Sequence, residues 1–411
     1  MKINKHCFPN GLRLVHYEDT STHMVALNIV YDVGARDEHP EHTGFAHLFE
    51  HLMFGGSAHI PDYDTPLQLA GGENNAWTNN DITNYYLTVP KPNVETAFWL
   101  ESDRMLELAF SEQSLEVQRG VVMEEFKHRC LNQPYGDVGH LFRPLAFRVH
   151  PYRWPTIGKE LSHIEQATLD EVKSFFYRFY APNNAVLAVT GNISWDETVK
   201  LTEKWFAPIP RRDVPVRQLP QEPEQTQERR LTVERNVPLD ALFMGYHMCS
   251  REGADYYAFD ILSDILSNGR SSRLNRRLVQ EQNIFSGIDA YISGTRDAGL
   301  LQISGKPAAG VSLEQAEAAV RKELEELQRS PVDGQELEKV KNKFESTQIF
   351  GNINYLNVAT NLAWFELTGK AEDIDLEVER YRSVTTEQLH TVAQRTFCES
   401  NAVVLYYKSD K

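Results

Sequence analysis

Apolar and polar positions change their spacing along this chain, and the changes mark out its elements. Apolar runs flank Pro9-Asn10-Gly11 in a hairpin-like opening, and Met24 to Tyr31 alternates as a strand. From Thr43 to Met53 the apolar side chains recur at helical spacing and stop at Gly55-Gly56, which predicts one short helix with a glycine terminus. A threonine- and tyrosine-rich strand follows at Ile82 to Val89. Helical periodicity then returns from Val94 to Ala109 and from Glu112 to about Cys130. A helix from Thr168 to Tyr180, a strand from Ala185 to Thr190 and a helix from Asp196 to Phe206 complete an alternation that indicates a layered α and β domain. Prolines at 208, 210, 215, 220 and 223 among charged and glutamine residues read as an extended linker. The expected division is therefore 1–210, a linker at 211–228, and 229–411. The second half looks like a worn copy of the first: strands within Leu231 to Met248, a helix from Tyr256 to Ser267 ending in Asn268-Gly269, and a closing strand from Ala402 to Tyr407.

Length agrees with that division, since 411 residues exceed one ordinary core. Hydrophobic residues at 41% and charged residues at 24% describe an ordinary globular chain. A formal net charge of -16 argues against nucleic acid, whose phosphates it would repel. Cys7, Cys130, Cys249 and Cys398 are scattered, so neither a disulfide framework nor a thiolate metal site is expected. The opening residues contain no apolar signal segment, and no run of 18 apolar residues occurs. That pattern favours a cytoplasmic location and no membrane span; a periplasmic one would require a signal already removed.

Candidate chemistry is concentrated in His47-Leu48-Phe49-Glu50-His51. Helix positions four apart share a face, so His47 and His51 can converge on one metal ion with Glu50 beside them. Hydrolysis at a zinc ion needs two neutral nitrogen ligands, an open coordination position and a carboxylate to take a proton from water. The bland alternative is a solvated helix face. With 14 histidines, such a pentapeptide would arise by composition in roughly one chain in twenty-five, so its weight comes from the text around it.

That text is Val33-Gly34-Ala35-Arg36-Asp37-Glu38, then Gly44-Phe45-Ala46, the pentapeptide, and Leu52-Met53-Phe54-Gly55-Gly56. It resembles the zinc peptidases of the pitrilysin, insulinase and mitochondrial processing peptidase family, whose inverted signature is His-x-x-Glu-His. Within the family, the two-subunit bacterial members similar to the processing peptidases match best. The resemblance implies an α+β fold of two homologous layered α/β sandwiches, a duplicated half-clamshell whose mostly antiparallel sheets are packed with helices. It implies Zn²⁺ as cofactor and a third ligand some seventy-odd residues past the second histidine; Glu125 lies 74 positions after His51. Glu124, about 100° around the helix, is the runner-up, and His128 the alternative for a three-histidine site. Seven residues before Glu125 the family often has a supporting glutamate, where this chain has Gln118. Asn75, Ala76 and Trp77 match a strand near the metal that pairs with substrate backbone; the alternative is an internal strand fully paired with its neighbours.

Laying Gly269 on Gly56 sets Asp260, Ser263 and Asp264 opposite His47, Glu50 and His51, so the second half keeps no imidazole there. Where the family presents an arginine and a tyrosine to substrate, the natural register gives Val279 and Ser286; Arg276, Arg277 and Tyr291 stand nearby. By resemblance a homologous partner subunit supplies that pair. The expected function is a zinc metalloendopeptidase acting on unfolded peptides or small proteins held in a chamber, as the catalytic subunit of a hetero-oligomer. The rivals are a noncatalytic scaffold subunit of the same fold and a structural-zinc protein.

Overall fold

The structure, a computed structural model, describes residues 1–410. Six strands form the first sheet: β1 (Asn4–Cys7), β2 (Arg13–Glu18), β3 (Met24–Tyr31), β4 (Glu73–Thr78), β5 (Thr83–Pro90) and β6 (Ala185–Gly191), in the order β1-β2-β6-β3-β5-β4. Five form the second: β7 (Arg229–Arg235), β8 (Ala241–Met248), β9 (Phe285–Ile292), β10 (Gly299–Pro307) and β11 (Ala402–Ser409), in the order β7-β11-β8-β10-β9. In each sheet one pair is parallel, β2 with β6 and β7 with β11, and the rest are antiparallel. Setting β2 to β6 against β7 to β11 in chain order reproduces both spatial order and strand direction. The sequence duplication is thus a duplication of topology, with β1 added at one edge. The helix between β3 and β4 (Phe45–Leu52) corresponds to that between β8 and β9 (Tyr256–Ser267). Gly56 and Gly269, beyond these helices, share a left-handed backbone with φ of 101° and 102°.

Strand β3 shows why the first sheet reads as almost continuously apolar. Val25, Leu27, Ile29 and Tyr31 face a core shared with Phe45, Leu48, Phe49 and Phe176. Ala26 and Val30 face the other way, with Val15, Val186 and Ala188, against Val358, Ala359, Leu362 and Ala363 of the helix Tyr355–Thr368. Alanines on both sides of that second contact let helix and sheet approach closely. Both faces are covered, so neither register of side chains needs to be polar.

The compact units do not follow sequence continuity. One comprises 1–131, 154–220 and 349–376; the other comprises 132–153, 221–348 and the described residues from 377 onward. This differs from the expected boundaries 1–210 and 229–411. The cause is packing: the helix Tyr355–Thr368, from the second half of the chain, covers the outer face of the first sheet. In the second unit Phe142, Ala146, Phe147 and Tyr152, from the first half, cover Val237, Leu300, Val403, Leu405 and Tyr407. The stretch expected as a linker is without regular structure from 210 to 227. It is nonetheless held: Arg217 pairs with Asp32 and Asp37, and Glu222 accepts the backbone N–H groups of Arg148, Val149 and His150.

Candidate active site

The motif helix, Phe45–Leu52, begins two residues later and ends one residue earlier than its apolar spacing suggests. Gly44 sets its start, with φ of 87° in the left-handed region. A Cβ there would lie 2.6 Å from Ile164 Cδ1 and 2.8 Å from the Ile157 carbonyl oxygen, so a side chain is excluded twice. The buried helix-start donors are met by Glu38, whose carboxyl group accepts the N–H of Gly44 at 3.0 Å and of Ala46 at 2.8 Å. Burial pushes the Glu38 carboxyl up to about 8, against the pull of those two N–H groups. Phe45, Ala46, Leu48, Phe49 and Leu52 take the core side, and Phe49 packs on Tyr180 with ring centroids 4.4 Å apart. His47, Glu50 and His51 remain half-buried on the opposite face.

Glu125 reaches this face from the helix Glu112–Phe126, which Ser111 caps by accepting the Ser114 N–H. Its Oε2 lies 3.5 Å from His47 Nε2 and 3.5 Å from His51 Nε2. Those spacings sit at the outer limit of hydrogen bonding. They are close to the edge, about 3.4 Å, of a tetrahedron whose donors stand about 2.1 Å from a central zinc, and the three donor atoms all lie within 4.8 Å of one another. Among the described residues this is the one group of three histidine, cysteine or carboxylate side chains close enough to share an ion. Burial brings the His47 pKa down to about 4, which leaves its imidazole neutral and its lone pair free for a metal. The Glu125 carboxyl is held below the usual range by the imidazoles of His51 and His47 and the Arg129 guanidinium. The donor set fits Zn²⁺ as a three-ligand site with an open position. Glu124 instead turns outward to Lys127 at 2.7 Å, and His128 is exposed; neither joins the group.

Glu50 is anchored by a residue that spacing did not single out. Thr78 Oγ1, at the end of β4, donates to Glu50 Oε2 at 2.5 Å. Burial raises the Glu50 carboxyl above its ordinary value, which increases its affinity for a proton. Strand β4 is the open edge of its sheet, pairing with β5 alone. Asn75 and Trp77 point to the exposed side and Ala76 to the half-buried side, and the Ala76 N–H donates to Asn75 Oδ1 at 2.8 Å. Gln118 is half-buried two turns before Glu125, but no hydrogen bond joins it to either imidazole among the described residues. The Nδ1 atom of His47 is buried without a partner.

Three supporting residues were missed in the sequence. Glu38 lay inside the quoted run, and Arg129, one turn beyond Glu125, pairs with Glu125 Oε1 at 2.8 Å. Helical spacing carried a signal for Arg129. Thr78 carried none, because its partner is on another element. In the second unit the corresponding helix holds Asp260 by a hydrogen bond from Tyr381 and Asp264 by one from Asn268, with no imidazole on that face. Val279 lies in the π-helical segment Asn275–Glu281 and Ser286 on β9.

Two family models match the chain: "Insulinase (Peptidase family M16)" over residues 13–140 and "Peptidase M16 inactive domain" over 166–344. Every candidate site residue lies within the first span and none within the second. The zinc protease PqqE of Helicobacter pylori is 26% identical over 405 residues, covering 97% of this chain and 91% of the relative. The protein named uncharacterized zinc protease YmxG of Bacillus subtilis is 25% identical over 406 residues, covering 98% of each. The crystal structure of a protease from Helicobacter pylori superposes with a TM-score of 0.94 at 26% identity over 99% of both chains. A structure from Pseudomonas fluorescens described as a peptidase M16 inactive domain shares the fold, with a TM-score of 0.90 at 16% identity over 100% of this chain and 99% of that one. With the duplicated fold, the inverted histidine motif and both family models in agreement, this chain belongs to peptidase family M16, the insulinase family.

Proposed function

We propose that the chain is a zinc-dependent metalloendopeptidase in which His47, His51 and Glu125 hold the metal and Glu50 is the general base. One observation carries this reading: three donors from two separate helices converge at the spacing of a single ion, with Glu50 on the same face. Zinc bound there supplies Lewis acidity, which lowers the pKa of water and polarises a carbonyl. Thr78 occupies Glu50 Oε2 and so leaves Oε1 to take the proton of the attacking water and return it to the departing amine. The free edge of β4 suits an extended peptide laid alongside Asn75, Ala76 and Trp77 by β-augmentation, which favours unfolded substrates. Zinc analysis with a peptide-cleavage assay tests the assignment. Glu50→Gln is expected to retain zinc and lose cleavage, and wild-type turnover in that variant would refute the base.

We infer further that a homologous partner supplies the arginine and tyrosine that Val279 and Ser286 do not provide, which makes this chain the metal-bearing member of a hetero-oligomer. Efficient cleavage by the single purified chain would refute the partner requirement and leave the metal centre intact. The noncatalytic reading finds support in the inactive-domain match, but that match falls on a span without candidate donors.

A further inference from the structure

The two oxygens of Glu125 have different neighbours. Oε2 faces both imidazoles, whereas Oε1 is held at 2.8 Å by the guanidinium of Arg129, whose side chain is 66% exposed and so approaches from solvent. Arg129 comes from Lys127–Leu131, where the helix widens from α to π geometry just past the ligand. Such local widenings recur at functional sites, since they re-aim the side chains that follow.

A carboxylate with both oxygens free can offer both to a divalent ion. Here that would give four protein donors in place of three, so that the metal with its water would already be five-coordinate and hold no further position for a substrate carbonyl. A guanidinium on one oxygen prevents this by a charge-assisted hydrogen bond. We infer that Arg129 is a positioning residue that restricts Glu125 to one-oxygen coordination and so keeps the reactive coordination position open. The inference rests on the metal centre proposed above. Gln118 does not perform this task, since it makes no hydrogen bond to the ligand set among the described residues. Lysine would conserve charge at position 129 but lose the planar fork, so it should substitute in part.

Cobalt reports coordination number directly, because four-coordinate Co²⁺ absorbs visible light much more strongly than five-coordinate Co²⁺. The full chain is stripped with a chelator, reloaded with Co²⁺ alone, and compared with Arg129→Leu and Arg129→Lys, with folding verified by circular dichroism. The wild type should show the intense four-coordinate spectrum, Arg129→Leu a several-fold weaker one, and Arg129→Lys an intermediate one. Peptide cleavage by Arg129→Leu should fall in kcat with little change in KM. An unchanged cobalt spectrum in Arg129→Leu overturns the inference. So does a leucine variant that binds no cobalt, for then Arg129 would hold the ligand in place without restricting its mode. Failure of the wild type to bind cobalt would instead refute the metal centre itself.

Discussion

A helix of only eight residues carries two of the three candidate ligands, and single side chains decide whether it holds its place. Glu38 links the start of this helix to pH. Its folded-state pKa, about 8, stands above the unfolded value of about 4.3, so folding takes up a proton between those limits. The stability tied to this proton is complete below the unfolded pKa and is lost as pH rises through the folded one. Glu38→Gln should therefore flatten the fall in unfolding free energy between pH 5 and 8, a difference of up to several kcal/mol, measured by denaturant titration at each pH. Gly44→Ala meets both a left-handed backbone and filled space. It should cost more than about 1 kcal/mol by thermal or denaturant unfolding and weaken zinc binding in parallel. His51→Ala removes a donor from the exposed side, and the expected change is in metal linkage. Zinc at a hundredfold excess over its Kd should stabilise the wild type by about 2.7 kcal/mol and the variant by almost nothing, read as a shift in Tm.

At the scale of elements, the site is a meeting of two helices and one edge strand. The periodicity of Phe45–Leu52 is legible because its apolar face packs on Phe176 and Tyr180, while the motif residues occupy what is left of the circumference. The π-helical turn at Lys127–Leu131 leaves no such mark, because five residues are too few for a change of period to show in the spacing. Strand β4 matched a family stretch, but no spacing in the sequence could show that it lies at an edge; only the pairing order does. Ala76→Pro removes an N–H that donates to the neighbouring Asn75 side chain in the structure. If peptides add to this edge, losing one hydrogen bond of about 1.4 kcal/mol should lower kcat/KM about tenfold through KM, with zinc content unchanged.

Each sheet is closed on its second face by a segment from the other half of the chain, so neither half of the sequence contains a complete unit. Residues 1–210 expressed alone would expose Val15, Ala26, Val30, Val186 and Ala188. That fragment should aggregate, and co-expression with 349–376 should restore soluble material, as monitored by size-exclusion chromatography. Within the full chain, Leu362→Ala opens a cavity under the first sheet and should cost about 2–5 kcal/mol. Among the described residues no helix is long and apolar enough to cross a membrane.

The identities and spacing of His47, Glu50 and His51 are properties of one short helix, which is why they could be read from the sequence along with the likeness of the two halves. Choosing Glu125 over Glu124 depended on a family spacing, and the contacts of the folded chain turn one carboxylate inward and the other toward Lys127. Thr78 on Glu50, Arg129 on Glu125 and the covering of each sheet by a helix from the other half of the chain belong to the tertiary structure alone. Local periodicity records which face of an element is buried; it does not record which distant element does the burying.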